Sequence, residues 1–438
     1  MQNGNTKGHV SKRALEGMAV ANPMRDALFT ALGYIYDPVH PAINMGTAQN
    51  DLMQSELNDK INASLEFQVS DLSYGEPQGS QRLRQTMGSL LTRHLKPTIP
   101  VDADHVFVAT GAGAAIYYLA LALTDPGDSI MVISPYYGSF DGDVCMGSQI
   151  DLIPLYLNNN SDKDWDLSVD VDTLEETWKE HVEAKGKKVK ALIITNPHNP
   201  LGRCFSQESI ETLLRYASKH NLHVISDEVY ALSTFGHLLP NNNMEHDPFL
   251  SVLSLPNLDQ LIDPSLVHVV YGLSKDFGVN GLRVGFVIDQ HNPTLRNVLP
   301  GFIVFSYTST LTDRLLCNMF SDKEWVDIFI EINRRRLAEA YTYASNVLKL
   351  IGVDHISADA GQFMVVDLRA AMTQMNGRPP TFEDEKELMT TLLQHGVYMV
   401  PGHAFYIREP GFFRITFTVD KGRLKKGIDI LAQRLSLK

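Results

Sequence analysis

The stretch YGLSKDFGVNGLRVG, residues 271–285, is the starting point for interpreting this chain. Lys275 is followed eight residues later by Arg283, and the glycines and asparagine between them favour a turn over a regular element. An exposed lysine in a surface loop would give a similar local pattern. Other segments must therefore decide whether this lysine belongs to a site.

Two segments upstream place polar residues after predicted strands. VKALIITNPHNPLGRCFS (189–206) predicts a buried strand and then a turn holding Asn199. HVISDEVYA (223–231) predicts a strand carrying Asp227, with Tyr230 three residues on. An aspartate at a strand end can also cap a helix. Asp227 and Tyr230 therefore indicate a functional site only when they are considered together with Asn199.

A glycine-rich turn lies earlier in the chain. VFVATGAGAAIYYLALAL (106–123) predicts a short strand, a turn and a buried helix. Such a turn directs backbone N–H groups and the helix dipole at an anion. It suits a phosphate, but alone it could equally form a dinucleotide site, although no G-x-G-x-x-G is present.

Taken together, these segments resemble the class I and II aminotransferases. These are fold type I enzymes that depend on pyridoxal 5′-phosphate (PLP), and the wording of SKDFGVNGLRVG is closest to their 1-aminocyclopropane-1-carboxylate (ACC) synthase-like branch. The resemblance spans about Ile43 to Thr418. It implies that Lys275 forms the Schiff base with PLP, that Asp227 keeps the ring nitrogen protonated, and that Tyr230 acts with them in catalysis.

The resemblance also implies the remaining contacts of the cofactor and the substrate. The cofactor-binding residues are expected to be Lys275, Asp227, Tyr230 and Asn199, Tyr137 on the ring face, the phosphate cup Gly111, Ala112, Gly113 and Ala114, Ser274 and Arg283 at the phosphate, and Tyr74 from a neighbouring subunit. The expected substrate-binding residues are Arg414, Asn199 and Gln49. Arg414 lies in GFFRITFT, and its paired N–H donors suit a carboxylate, although a strand arginine could instead form a structural salt bridge.

Alternating strands and helices in the middle of the chain predict an α/β fold. The resemblance implies a mostly parallel central sheet with helices on both faces and a smaller α+β domain. It places a large PLP-binding domain at residues 67–305, and a small domain with an N-terminal arm at residues 1–66 and 306–438. It further implies a homodimer with active sites at the interface, because Tyr74 would contact the phosphate only across that interface.

Composition limits the possible partners and compartment. The formal net charge of −13 argues against nucleic acid and anionic membranes as partners. Three scattered cysteines are too few for a disulfide framework or a zinc site, and no metal site is expected. With no apolar signal segment recognisable at the start, the sequence predicts a cytoplasmic enzyme acting on a small-molecule amino acid.

The fate of the substrate carbanion is the open question. We expect an aminotransferase acting on an L-amino acid, because transamination is the commonest outcome on this scaffold. The alternatives are a PLP-dependent lyase, by carbon–sulfur β-elimination or ACC synthase-like γ-elimination, and a non-catalytic relic. Gln49 replaces the family glutamate, Gly272 stands where ACC synthases carry a serine, and Tyr74 lies five residues before Gly79, a spacing that resembles general aminotransferases rather than ACC synthases. These three features make ACC synthesis itself less expected. The phosphate cup also departs from the ACC synthase form, because Ala112–Ala114 lack a hydroxyl.

Two histidines and a run of three arginines could each have a functional or a purely structural role. His198 and His403 could line the substrate pocket, but loop histidines are more often solvated. The run Arg334–Arg336 in a helix predicted at about 323–351 is expected to form a solvated face.

Overall fold

The computed structural model describes residues 10–158, 165–239 and 248–437. Residues 1–9 of the expected N-terminal arm, most of a polar loop predicted at 158–166 and part of a connection predicted at 236–265 lie outside the described residues.

The strands belong to three sheets. In chain order they are β1 (Ile43–Asn44), β2 (Val106–Ala109), β3 (Ser129–Ser134), β4 (Asp151–Tyr156), β5 (Val189–Thr195), β6 (His223–Asp227), β7 (Val267–Gly272), β8 (Gly285–Ile288), β9 (Asp354–His355), β10 (Phe363–Asp367), β11 (Val397–Tyr398), β12 (Val400–Pro401) and β13 (Phe412–Thr416).

A seven-stranded sheet forms the centre of the molecule, in the order β2-β8-β7-β6-β5-β3-β4. Strand β8 is antiparallel to both neighbours, and the other pairs are parallel. Successive residues of β5 join two different apolar clusters, with Ile193 on one face and Leu192 and Ile194 on the other. Both faces are therefore covered, as an apolar parallel strand requires. The predicted fold type I architecture is confirmed.

Helices cover this sheet and link it to the rest of the chain. They are α1 (Lys12–Ala19), α2 (Pro23–Ile35), α3 (Gln54–Ser64), α4 (Gln81–Leu95), α5 (Ala112–Leu123), α6 (Met146–Ser148), α7 (Val171–Trp178), α8 (Gln207–Lys219), α9 (Leu258–Leu261), α10 (Leu273–Asp276), α11 (Pro293–Ile303), α12 (Thr310–Ser321), α13 (Lys323–Leu350), α14 (Arg369–Asn376), α15 (Phe382–Gln394) and α16 (Lys421–Arg434). Side-chain caps fix several starts, such as Ser206 before α8 and Asp322 before α13.

Two smaller sheets lie in the outer parts of the chain. Strands β12, β13, β10 and β9 form an antiparallel sheet, and β1 pairs in parallel with β11. Arg414 lies in the central strand β13, opposite Val365 on one side and Val400 on the other. The four-stranded antiparallel sheet is consistent with a smaller α+β domain. The domain limits given above remain a prediction.

Two predicted strands prove shorter than expected. Strand β6 ends at Asp227 rather than at residue 231, because the chain then turns, with the N–H of Ala231 donating to Glu228. The apolar run LRVGFVI predicts a strand over residues 282–288, but β8 begins at Gly285, because a 3-10 turn and a left-handed Arg283 (φ 53°) precede it. Both irregular segments carry predicted site residues.

The expected solvated face at Arg334–Arg336 is wrong for two of its three members. Arg335 is exposed, but Arg334 is half-buried and donates through Nε to the carbonyl of Leu232 at 3.0 Å. Arg336 is half-buried and pairs with Glu56. The reason is that α13 packs against the chain on more than one side, which helical periodicity alone does not reveal.

Among the described residues, no helix has the length and apolar character needed to cross a membrane. The three cysteines, Cys145, Cys204 and Cys317, are buried free thiols.

Candidate active site

The topology of the large sheet brings the predicted residues to one edge. Parallel strands have their carboxyl ends at the same edge, where ligands of such sheets bind. Asp227 ends β6, Asn199 follows β5, and Lys275 lies just beyond β7. The antiparallel β8 begins at that edge, two residues after Arg283. Motifs that are distant in sequence therefore meet.

A cavity of about 330 Å³ lies at this edge. Residues of both the large sheet and the outer sheet line it. The predicted site residues in its wall are Ala112, Gly113, Tyr137, Asn199, Asp227, Tyr230, Ser274, Lys275, Arg283 and Arg414. The chain thus gathers most of the predicted set around one space.

Lys275 is the amine of the cavity. Its Nζ donates to the carbonyl of Ala48 at 2.8 Å. Burial, and then the positive charges of Arg414 and Arg283, lower the pKa of Lys275 to about 8. A substantial fraction of the side chain is therefore neutral near pH 8, the form that can act as a nucleophile or accept a proton.

The short helix α10 that carries Lys275 is held by side chains that sequence reasoning missed. Gln362 donates through Nε2 to the carbonyl of Lys275 at 2.6 Å, and Asn333 donates to the carbonyl of Asp276 at 3.3 Å. The buried carboxylate of Asp276 accepts hydrogen bonds from the backbone N–H of Leu232, the hydroxyl of Ser233 and the hydroxyl of Tyr271. Only Asp276, beside the lysine in the motif, offered a local signal.

Asp227 is the carboxylate at the floor of the cavity. It is 5% exposed, and among the described residues it accepts one hydrogen bond, from the N–H of Val229 at 3.4 Å. Burial raises its pKa to about 7, although that hydrogen bond and the charge of Lys275 act in the opposite direction. A cationic N–H donor placed against it would keep this carboxylate ionised.

The glycine-rich turn and Arg283 form one end of the cavity. Gly111 has φ of 101°, and a Cβ added there would lie 2.5 Å from Nη2 of Arg283. A Cβ on Gly285 would lie 2.4 Å from the backbone nitrogen of Ala112. The first turn of α5, whose backbone N–H groups lack helical partners, therefore packs directly against the arginine.

A carboxylate that the sequence analysis missed also reaches this end. Asp143 lies in a π-helical turn, lines the cavity, and would be 3.1 Å from a Cβ on Gly113. Burial raises its pKa to about 6, against the lowering effect of Arg283. The local sequence around Asp143 does not predict this position, because the carboxylate reaches the cavity only where Gly113 leaves room for it.

Arg414 lines the cavity from strand β13 of the four-stranded sheet. It is 3% exposed, with Nη1 donating to Oδ1 of Asn199 at 2.8 Å and Nη2 to the carbonyl of Gly46 at 2.6 Å. The rings of Phe363 and Phe405 lie 4.7 and 4.6 Å from its guanidinium carbon. Among the described residues its Nε has no hydrogen-bond partner. No carboxylate is paired with it there, so the alternative of a structural salt bridge finds no support.

Two aromatic residues complete the cavity wall. Tyr137 has Phe140 edge-on at a centroid distance of 5.6 Å, and Tyr230 has Phe363 edge-on at 5.2 Å. Burial raises the pKa of both tyrosines, so their hydroxyls stay protonated and can donate. The neighbouring rings restrict how either ring can rotate.

Several expected site residues lie outside the cavity wall. Gln49 is exposed, and Tyr74 is 97% exposed at a separate surface depression. Gly111 and Ala114 are not among the residues that line the cavity, and neither is Thr110, which could have supplied a hydroxyl. Their contacts with cofactor or substrate remain predictions.

Neither histidine lines the cavity. His198 is 1% exposed, so the solvated interpretation is wrong for it, and burial lowers its pKa to about 3. His403 is only partly exposed and its Nδ1 lies 2.7 Å from the buried carboxylate of Glu385. Both belong to packing around the site.

The residues present fit PLP. They supply a buried amine of low pKa, a buried carboxylate able to face a cationic ring N–H, an aromatic ring at Tyr137, and a glycine cradle facing Arg283. The match rests on the donor set of this chain.

Comparisons with known proteins agree. The sequence profile described as "Aminotransferase class I and II" matches residues 40–431. The chain is 31% identical over 395 residues to a Mus musculus protein named "probable inactive 1-aminocyclopropane-1-carboxylate synthase-like protein 2", covering 88% of this chain and 64% of that protein. It is 30% identical to 1-aminocyclopropane-1-carboxylate synthase 2 of Cucurbita pepo, covering 88% of this chain and 77% of that one. Aspartate aminotransferase of Thermus thermophilus shares the fold, with a TM-score of 0.76 at 19% identity over 97% of this chain and 99% of the other.

Proposed function

Because this chain belongs to the aminotransferase class I and II family, whose cofactor is PLP, we propose that it transfers the amino group of an L-amino acid to a 2-oxo acid. The observation that carries this proposal is the convergence of Lys275, Asp227 and Arg414 on one buried cavity.

The chain's own residues define how the cofactor would be held. Lys275 would bind it covalently, Asp227 would face its ring nitrogen, and Asn199 and Tyr230 would hydrogen-bond its phenolic oxygen. The turn at Gly111–Ala114, Ser274 and Arg283 would hold the phosphate. When bound, PLP supplies an electron-accepting ring that makes the α-proton of an amino acid acidic.

Arg414 and Lys275 would then perform the substrate steps. The guanidinium of Arg414 offers N–H donors to the α-carboxylate, and its present partners, Asn199 and Gly46, fix its plane. Lys275, once released as a neutral amine, would remove the α-proton and return it at a neighbouring carbon. Its lowered pKa of about 8 supports this shuttle.

A homodimer would complete the site. The segment 65–74 exposes several apolar side chains, Tyr74 is 97% exposed and Phe305 is 90% exposed. Arg314 pairs with Asp71, which anchors this segment to α12. Such an exposed apolar surface suits a second copy of the chain, from which Tyr74 would reach the phosphate of the neighbouring subunit.

A lyase is the second candidate function, because relatives at about 30% identity bear the name ACC synthase. The exposed side chain of Gln49, in place of the family glutamate, does not support γ-elimination. A non-catalytic role is a further candidate, because one relative is named as probable inactive. The buried and complete set of Lys275, Asp227 and Arg414 argues against that role here.

The deciding experiment mixes PLP-loaded protein with single L-amino acids in the absence of a 2-oxo acid. We expect the absorption band of lysine-bound PLP to give way to that of pyridoxamine phosphate, and to return when a 2-oxo acid is added. Release of ammonia together with a 2-oxo acid, a thiol or a cyclised product, with the PLP band unchanged, would establish a lyase instead. Protein that develops no PLP band at all would support the non-catalytic role.

A further inference from the structure

The cavity holds charged side chains of both signs. Its charged wall residues among those described are Asp143, Asp227, Lys275, Arg283 and Arg414. Under the proposed function, on which this inference rests, Asp227, Lys275 and Arg283 face the cofactor and Arg414 faces the α-carboxylate. Asp143 lies beside Gly113 and influences Arg283, which places it at the phosphate end.

Among the described residues this wall leaves no cation for a second carboxylate. The segment 65–74, which the proposed dimer would bring to the site from the second copy, carries Glu66 and Asp71 and no lysine or arginine. A substrate such as aspartate or glutamate would bring a distal carboxylate into the cavity without a partner. Burying an unpaired charge costs several kcal/mol. An acidic side chain is therefore disfavoured.

Much of the rest of the wall is apolar, although Thr47, Ser139 and Asn280 also line it. Helix α2 supplies Met24 and Leu28, α5 supplies Ile116, the turn after β3 supplies Phe140, and strands β11 and β12 supply Tyr398 and Val400. Burial raises the pKa of Tyr398 to about 12, so its hydroxyl is neutral. This surface offers dispersion contacts and apolar burial to a substrate side chain.

Helix α2 is fixed in place rather than loosely laid over the opening. Asn22 caps its start, accepting from the N–H of Arg25 at 2.7 Å, and Pro23 begins the helix. A Cβ added to Gly138 would lie 3.0 Å from Cβ of Met24 and 2.1 Å from the carbonyl oxygen of Ala404. The start of α2 and its Met24 are therefore held in place by the chain itself.

We infer that the substrate of this chain is an L-amino acid with an uncharged, mainly apolar side chain, and that Met24 and Leu28 are specificity-determining residues. Methionine, leucine and phenylalanine represent this class. Aspartate, glutamate and lysine represent the classes that the wall rejects.

The test compares these six amino acids on full-length, PLP-loaded protein. We expect kcat/KM, or the rate of spectral change in the half-reaction, to be at least about a hundredfold higher for the best apolar amino acid than for aspartate, glutamate or lysine. A charged amino acid that reacts as fast as the apolar ones would overturn the inference and leave the proposed function standing.

A binding measurement separates the two claims. α-Methyl-L-methionine and α-methyl-L-aspartate lack the α-proton and cannot complete the reaction, so their effect on the PLP spectrum reports binding alone. We expect the methionine analogue to bind at least about tenfold more tightly. If no amino acid reacts but this preference holds, the proposed function fails and the inference survives. Preference for the aspartate analogue, or binding of neither, would refute the inference.

A matched pair of variants tests the wall itself. Leu28→Arg adds a cation, and Leu28→Gln is a neutral polar control. We expect Leu28→Arg to raise the kcat/KM ratio of aspartate to methionine at least about tenfold over Leu28→Gln, with both proteins checked for folding by thermal unfolding. An equal ratio in two folded variants would contradict the role of Leu28, and the wild-type series decides the substrate class should either variant fail to fold.

Discussion

The two ends of the cavity are built in different ways. The end proposed to hold the cofactor (the cofactor end) takes its polar residues from the carboxyl ends of strands in one sheet, where Asn199 follows β5, Asp227 ends β6 and Lys275 follows β7. The part proposed to hold the substrate side chain (the substrate end) combines Met24 of α2 with Val400 of β12, which are separated by most of the chain. The residues of the cofactor end lie in short sequence motifs that can be recognised one by one. The residues of the substrate end come together only when the chain folds.

This difference explains what each end can determine. Chemistry at the cofactor end needs particular groups, an amine, a carboxylate and a guanidinium, so substitutions there should remove activity. The substrate end offers shape and lack of charge, so substitutions there should change which amino acid reacts. The predictions below follow this division, in order of decreasing effect.

Replacing Lys275 with alanine should have the largest effect. Losing both the covalent attachment and the proton shuttle should reduce activity by about 10⁴-fold or more and abolish the band of lysine-bound PLP. Absorption spectra and steady-state rates measure both. Lys426→Ala, at an exposed position of α16, is the control. Retained activity in Lys275→Ala would show that the cofactor end is wrongly assigned.

Replacing Asp227 with asparagine should come next. The amide keeps the shape but cannot hold a positive charge on a ring nitrogen, so kcat should fall by about a hundred- to a thousandfold. Asp59→Asn, at an exposed position of α3, should leave kcat unchanged. Near-normal turnover of Asp227→Asn would mean that this carboxylate does not face the ring.

Arg414→Lys tests the boundary between the two ends. Lysine keeps the charge but loses the paired donors, and a charge-assisted hydrogen bond is worth about 1.5–3 kcal/mol. We expect kcat/KM to fall about ten- to a hundredfold, mainly through KM, whereas Arg335→Lys on the exposed face of α13 should be silent. A fall confined to kcat would point away from carboxylate binding.

The lowered pKa of Lys275 predicts a pH dependence. Below a pKa of about 8 the amine is protonated and cannot attack, so the rate of band formation on adding PLP to the apoprotein should rise about tenfold per unit from pH 6 and level off above about pH 8. Stopped-flow absorption measures this rate. A profile still rising steeply at pH 10 would indicate an unperturbed lysine.

Tyr74→Phe should have the smallest effect. Loss of one hydrogen bond to the phosphate across a dimer should weaken PLP binding about tenfold, with Tyr36→Phe as an exposed tyrosine control. Equilibrium dialysis measures the affinity for PLP, and the molar mass in solution shows whether the protein is a dimer. A monomer, or unchanged PLP affinity, would remove Tyr74 from the site.

The comparison also shows how far the sequence predicts the structure. The order of strands and helices around Asn199, Asp227 and Lys275 followed from apolar runs and turn residues. Strand ends were overestimated at residue 231, because a helical turn or tight loop after Asp227 leaves no signal in apolar periodicity. The contacts of Gln362 and Asp143 could not be predicted, since each depends on a partner that only the folded chain brings close, the carbonyl of Lys275 and Gly113.

The most direct test of the account is to identify the residue that holds PLP. Protein loaded with PLP is reduced with borohydride, digested, and mapped by mass spectrometry. The account predicts one phosphopyridoxyl group, on Lys275. A label on another lysine, or no label on protein that has taken up PLP, would contradict it.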